Sequence, residues 1–158
     1  MLCKLLTRLL PKRKAVSKMR EILFRGKRKD TGEWVYGYLG VFKGISQIYV
    51  PFTEEEEKEN EGHIFSAIGG LWHTVFLETV GQYTGLTDKN GKRIFEGDIV
   101  KMLYKDDLAE IGPIMWSDVD LRYKFASSDG TAYSFDCTAT LEVIGNIHDN
   151  PELLKGGE

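Results

Sequence analysis

Between residues 121 and 137 the chain reads LRYKFASSDGTAYSFDC. Apolar and polar side chains alternate, which puts Leu121, Tyr123 and Phe125 inward on one face of an extended strand and Arg122 and Lys124 on the other. A Ser-Ser-Asp-Gly-Thr turn follows, signalled by Asp129-Gly130, and Tyr133, Phe135 and Cys137 answer with the same period of two. The pattern recurs in short segments, roughly ten residues apart, along the whole body. Residues 20–25 (REILFR), 34–42 (WVYGYLGVF), 44–52 (GISQIYVPF), 73–80 (HTVFLETV), 98–104 (DIVKMLY), 113–118 (PIMWSD) and 140–147 (TLEVIGNI) all read as strands. Residues 26–33 (GKRKDTGE), Gly69-Gly70 and 105–112 (KDDLAEIG) read as turns or loops. Such spacing leaves no room for strand–helix–strand crossovers. It predicts a mainly β fold, a small barrel or roll of short antiparallel strands with few or short helices. In HDNPELL, Asn150 is placed to cap a closing helical turn, with Pro151 at its first position.

At 158 residues, 42% hydrophobic and 28% charged, the chain has the make-up of a globular domain. The net charge of −3 conceals an asymmetry. Residues 1–18 hold six basic side chains and no acid, so the other 140 residues hold 15 basic against 24 acidic ones, a net −9. An acidic body argues against a broad phosphate-backbone footprint. Within the extension, Leu2, Leu5, Leu6, Leu9 and Leu10 form a helical stripe that Pro11 ends. A loosely attached extension, or an upstream start ahead of the true start Met19, explains this stretch better than a membrane anchor. The apolar-rich run from Ile64 to Leu77 is too short and too polar to span a bilayer. Cys3 and Cys137 read as two free thiols of a cytoplasmic protein.

Chemical motifs are sparse. The acidic stretch 53–61 reads as a solvated loop or a short frayed helix, and it lacks the spaced oxygens of a calcium loop. His63, His73 and His148 show no metal-ligand spacing, and Cys137 shares a strand face with Tyr133 and Phe135 rather than a catalytic partner. No nucleotide-binding loop, dinucleotide fingerprint or nucleophile elbow occurs, so no catalytic residue, metal site or cofactor is expected. The glycine-rich stretch 79–100, TVGQYTGLTDKNGKRIFEGDIV, fits turn scaffolding. Asn90 and Gly91 suit a type I′ turn, Gly97 a second turn, and Asp98 can bond the backbone of its own turn.

Three blocks carry a family resemblance: 19–39 (MREILFRGKRKDTGEWVYGYL), 79–100, and 141–154 (LEVIGNIHDNPELL). In this order they resemble the YopX family of phage and prophage proteins. The resemblance implies a β-rich fold with an SH3-like roll in the C-terminal part, and a gene expressed in a bacterial cytoplasm. It implies no activity and no catalytic residues, and it leaves the extension 1–18 outside the family pattern. The expected organisation is an N-terminal β region over 19–78 with the acidic loop 53–61, a C-terminal roll over 79–154, and a tail 155–158.

The expected function is a non-catalytic module that binds a protein partner or further copies of itself, since β-rolls leave sheet edges to be paired. The alternative is a small nucleic-acid-binding barrel. Its best candidate patch is Arg20, Arg25, Lys27, Arg28 and Lys29 beside Trp34 and Tyr36. Trp34, Tyr36 and Tyr38 share a strand face, and core packing is the favoured role for such a row.

Overall fold

The computed structural model describes residues 20–59, 69–104, 108–127, 130–134 and 139–155. The extension 1–18, Met19, His63, Asp129, Phe135 and Cys137 lie outside the described residues. The described strands all pair antiparallel and form two sheets. In the first, six-stranded sheet, β1 (Phe24–Lys27) lies between β2 (Trp34–Phe42) and β5 (Gly81–Thr87). Beyond β2 come β3 (Ile45–Pro51) and β4 (Gly70–Thr74); beyond β5 comes β6 (Arg93–Phe95). The second, five-stranded sheet contains β7 (Asp98–Tyr104), β8 (Leu108–Ser117), β9 (Arg122–Ala126), β10 (Ala132–Tyr133) and β11 (Thr140–Asn146). Its order is β10-β9-β8-β7-β11, and among the described residues neither sheet closes into a barrel. The first sheet draws β5 and β6 from beyond residue 78.

The larger core cluster is Ile94, Val100, Met102, Ile114 and Phe125, with Tyr123, Tyr133, Leu141 and Val143 packed against it. Burying each large apolar side chain is worth about 1.5–3 kcal/mol. Ile94 belongs to the first sheet and the other four to the second, so the cluster spans both. A smaller cluster, Leu23, Tyr83 and Phe95, sits within the first sheet.

Several local expectations change. β1 begins at Phe24 rather than Arg20 and runs through Gly26 into the basic stretch that reads as loop. The segment KDDLAEIG does not end as a loop: β8 is continuous from Leu108 to Ser117. Its Gly112-Pro113 pair looks like a breaker, yet each residue has a strand role. Pairing passes from β7 to β9 at Pro113, where the missing N–H breaks no bond to the incoming strand. At Gly112 a side chain would meet the Ala126 carbonyl oxygen at 1.8 Å, so β9 can approach only a glycine. HTVFLETV is a strand only to Thr74, then a 3-10 turn at Leu77–Thr79. Thr79 Oγ1 closes that turn by donating to the Phe76 carbonyl (2.7 Å) while accepting from the Lys27 amide (2.8 Å). Leu121 is not inward. It is 73% exposed in the turn between β8 and β9, with φ +51.

The acidic stretch forms a helix, α1, over Glu54–Glu59. Thr53 and Glu56 make a capping box: the Glu56 amide donates to Thr53 Oγ1 (3.3 Å), and the Glu56 carboxylate accepts from the Thr53 amide (2.8 Å). Pro151 does start a 3-10 turn, Pro151–Leu154, but Asn150 makes no side-chain cap to it. Its Oδ1 instead accepts from the Asn146 amide at 3.4 Å.

The type I′ turn is not at Asn90-Gly91. Gly91 has φ +81 while Asn90 keeps a negative φ, and the Gly91 amide bonds the Asp88 carbonyl at 3.0 Å. That is a right-handed turn followed by one left-handed glycine. The two-residue turn with both φ values positive is Lys43-Gly44, between β2 and β3 (φ +49 and +78). Lysine is strained there, because its Cβ crowds the backbone, whereas asparagine visits this region readily. Lys43→Asn is expected to stabilise the fold by about 0.5–1 kcal/mol. Urea denaturation should show a higher midpoint with an unchanged slope.

Candidate functional site

The residues of chemical interest converge on one face of the first sheet. Register places Arg25 opposite Tyr36 and Lys27 opposite Trp34, so all four share that face. Tyr38, Tyr49 and Trp72 continue the face across β2, β3 and β4, and Tyr83 and Phe95 continue it across β5 and β6. The expected patch is thereby resolved into separate environments.

Arg25 is buried. Its Nη1 pairs with the buried Asp98 carboxylate, and its Nη2 donates to the Glu96 carbonyl at 3.0 Å. The guanidinium lies 4.9 Å from the Trp34 ring centre and 5.4 Å from that of Phe95, which adds cation–π attraction on both flanks. Asp98 also accepts from the Phe95 amide at 2.7 Å, the local turn bond that its position in the sequence suggested. Burial pushes the Asp98 carboxyl up, while Arg25 and the Phe95 amide pull it down. Gly97 stands in the same turn at φ +80.

Lys27 Nζ donates to Asp149 at 2.7 Å, and Trp34 Nε1 donates to the other oxygen of the same carboxylate at 2.6 Å. Asn146 adds a third bond at 3.0 Å. Asn146, Lys27 and Trp34 hold the Asp149 carboxyl far below the usual carboxylate range. The His148 ring lies 5.9 Å from Trp34, and burial lowers its pKa. Arg28 is bound to Asp30 through Nε (2.9 Å) and Nη2 (2.6 Å), and Lys29 Nζ lies 5.7 Å from the Phe76 ring centre. Arg20 reaches the Thr84 carbonyl at 3.4 Å.

Asp88 is a residue that sequence reasoning missed. Burial opposes its charge, but the amides of Lys92, Val143 and Asn90 hold its carboxyl below the usual range. Those bonds run at 2.9, 3.1 and 2.8 Å and tie the turn after β5 to β11 in the other sheet. The signal available was an aspartate opening the turn DKNGK, where its side chain can reach amides two and four residues on.

The aromatic row is not core. Tyr36 is 49% exposed, Tyr38 53%, Trp72 50% and Phe42, at the end of β2, 69%. Tyr38 and Tyr49 lie 6.5 Å apart, Tyr49 and Trp72 5.2 Å, and Tyr36 and Phe95 5.4 Å. Trp72 lies over Gly40, where any Cβ would sit 2.7 Å from the ring. A supported row of half-exposed rings can bind by apolar contact and stacking. Among the described residues, no cluster of three His, Cys, Asp or Glu is placed to hold a metal ion, and no helix is long and apolar enough to cross a membrane.

Comparison with known proteins adds two findings. The family model described as "YopX protein" matches residues 23–155. A curated relative, the "SPbeta prophage-derived uncharacterized protein YopX" of Bacillus subtilis (strain 168), is 38% identical over 71 residues. That match covers 42% of this chain and 53% of the relative, about half the relative's length.

Two outcomes test the electrostatics. Arg25→Met leaves a buried carboxylate without its counter-charge and is expected to cost about 3–5 kcal/mol in urea denaturation. Asp149 has a folded-state pKa below its unfolded value, so its contribution is present above about pH 4 and is lost as pH falls through the folded value. Asp149→Asn should therefore be less stable than the parent at neutral pH and lose less stability on acidification, read from thermal midpoints across the acid range.

Proposed function

This chain belongs to the YopX family, and we propose that it is a prophage-encoded, non-catalytic protein-interaction module that self-associates through the aromatic face of its first sheet. The observation that carries this is the exposure of Tyr36, Tyr38, Trp72 and Phe42 on one continuous face, with Ile45 beside Phe42 also more than half exposed. Contiguous apolar surface on a small domain marks an interaction site rather than incidental exposure. The face also ends at β4, the last described strand of its sheet, whose outer backbone edge offers a second mode of pairing.

The charge distribution favours a protein surface over a phosphate backbone. Arg25, Lys27, Arg28 and Arg93 are all matched to carboxylates, those of Asp98, Asp149, Asp30 and Glu21. Cations already neutralised within the chain release few counter-ions when a phosphate approaches. The relative's prophage origin supports placing the gene in a prophage, and both the absence of catalytic motifs and the ion-paired state of these groups support a binding role.

Sedimentation equilibrium of the full chain at micromolar concentration tests the reading. A mass above the monomer is expected, and Phe42→Ser combined with Trp72→Ser should weaken association by at least about tenfold, as loss of two central aromatic anchors does. A parent chain that stays monomeric, or a variant that associates equally well, would overturn it.

A further inference from the structure

A cavity of 420 Å³ lies where the β6–β7 turn joins the two sheets, and it falls in the size range of pockets that hold a discrete chemical group. Four sequence-distant strips line it. Val80 and Glu78 come from the approach to β5, Glu96 and Gly97 from the β6–β7 turn, Pro113, Ile114 and Met115 from β8, and Ile147 and His148 from the chain after β11. The walls are apolar, with Met115 and Ile147 partly exposed at the rim. The charged groups are two carboxylates, Glu78 and Glu96, and neither forms a salt bridge among the described residues. Burial, and then Arg25, lower the pKa of His148. No lysine or arginine lines the cavity.

We propose that this cavity receives a lysine or arginine side chain from a basic segment of a partner protein. The chemistry of the lining selects that ligand. An aliphatic stem matches the Val80, Pro113, Ile114 and Ile147 walls, and a terminal cation matches two carboxylates that form no salt bridge among the described residues. The far field acts in the same direction, because the body beyond residue 18 carries a net −9 and draws basic segments toward it. A phosphate group is disfavoured on both counts. The lining includes none of the exposed residues Tyr36, Tyr38, Phe42 and Trp72 proposed for self-association, so each can fail without the other.

The test is fluorescence anisotropy of a labelled hexapeptide with two lysines flanked by leucines, titrated with the full chain at low and physiological salt. A peptide with glutamate in place of lysine serves as the ligand control. Glu78→Gln with Glu96→Gln is expected to weaken lysine-peptide binding by about tenfold. Glu55→Gln with Glu57→Gln removes the same charge from the exposed α1 helix and is expected to change binding by less than about twofold. Met115→Asn, which puts a neutral polar group on the apolar rim without changing the charge, is expected to weaken binding as well. Equal losses for the two glutamine pairs would overturn the proposal in favour of a nonspecific field, and so would the absence of lysine-peptide binding by the parent. Loss of self-association in Glu78→Gln/Glu96→Gln would also overturn it, because the cation would then come from a second copy of this chain.

Discussion

The Arg25–Asp98 pair is the contact on which the rest of the arrangement rests. β1 is an interior strand of the first sheet and β7 is the strand that opens the second, so this pair joins the two sheets. Both groups are buried, and a buried pair is costly unless most of its remaining hydrogen-bonding capacity is met. Here the Glu96 carbonyl takes a second guanidinium donor, the Phe95 amide fills the other carboxylate oxygen, and two aromatic rings flank the cation, while the buried Arg25 Nε has no hydrogen-bond partner among the described residues. The pair therefore sets the relative position of the sheets more than it adds net stability.

Two further aspartates repeat the device. Asp149 ties the end of the second sheet to Lys27 and Trp34, and Asp88 ties the turn before β6 to β11. All the side chains of this three-point junction come from the blocks 19–39, 79–100 and 141–154 that carry the family resemblance. What those blocks hold in common is a way of fastening two sheets together.

Much of the fold was legible in the alternation of apolar and polar residues. β2, β3 and β7 fall where the period of two puts them, because their ends are marked by a turn or a proline. β8 was hidden by Gly112-Pro113, whose strand roles depend on β9 lying alongside, and one sequence does not show which strand will be the neighbour. Arg25 looked like a surface cation because it stands in a basic run. Only the distant Asp98, 73 residues away, makes it a buried one. Tyr36 and Tyr38 looked like core for the opposite reason. Which side of a strand is covered depends on whether another layer lies over it, and the second sheet reaches only the Arg25 end of that face.

The position of β1 bears on how the chain emerges from the ribosome. Until β5 is made, β1 has β2 on one side and a bare edge on the other, and Arg25 has no counter-charge until Asp98 follows 73 residues later. At cellular synthesis rates that interval lasts roughly 4–15 s. Neither sheet can be locked to the other during that time, since every fastening aspartate follows β5. Between the synthesis of Arg25 and that of Asp98 the nascent chain is an unfinished sheet, and the junction is complete only once Asp149 has followed.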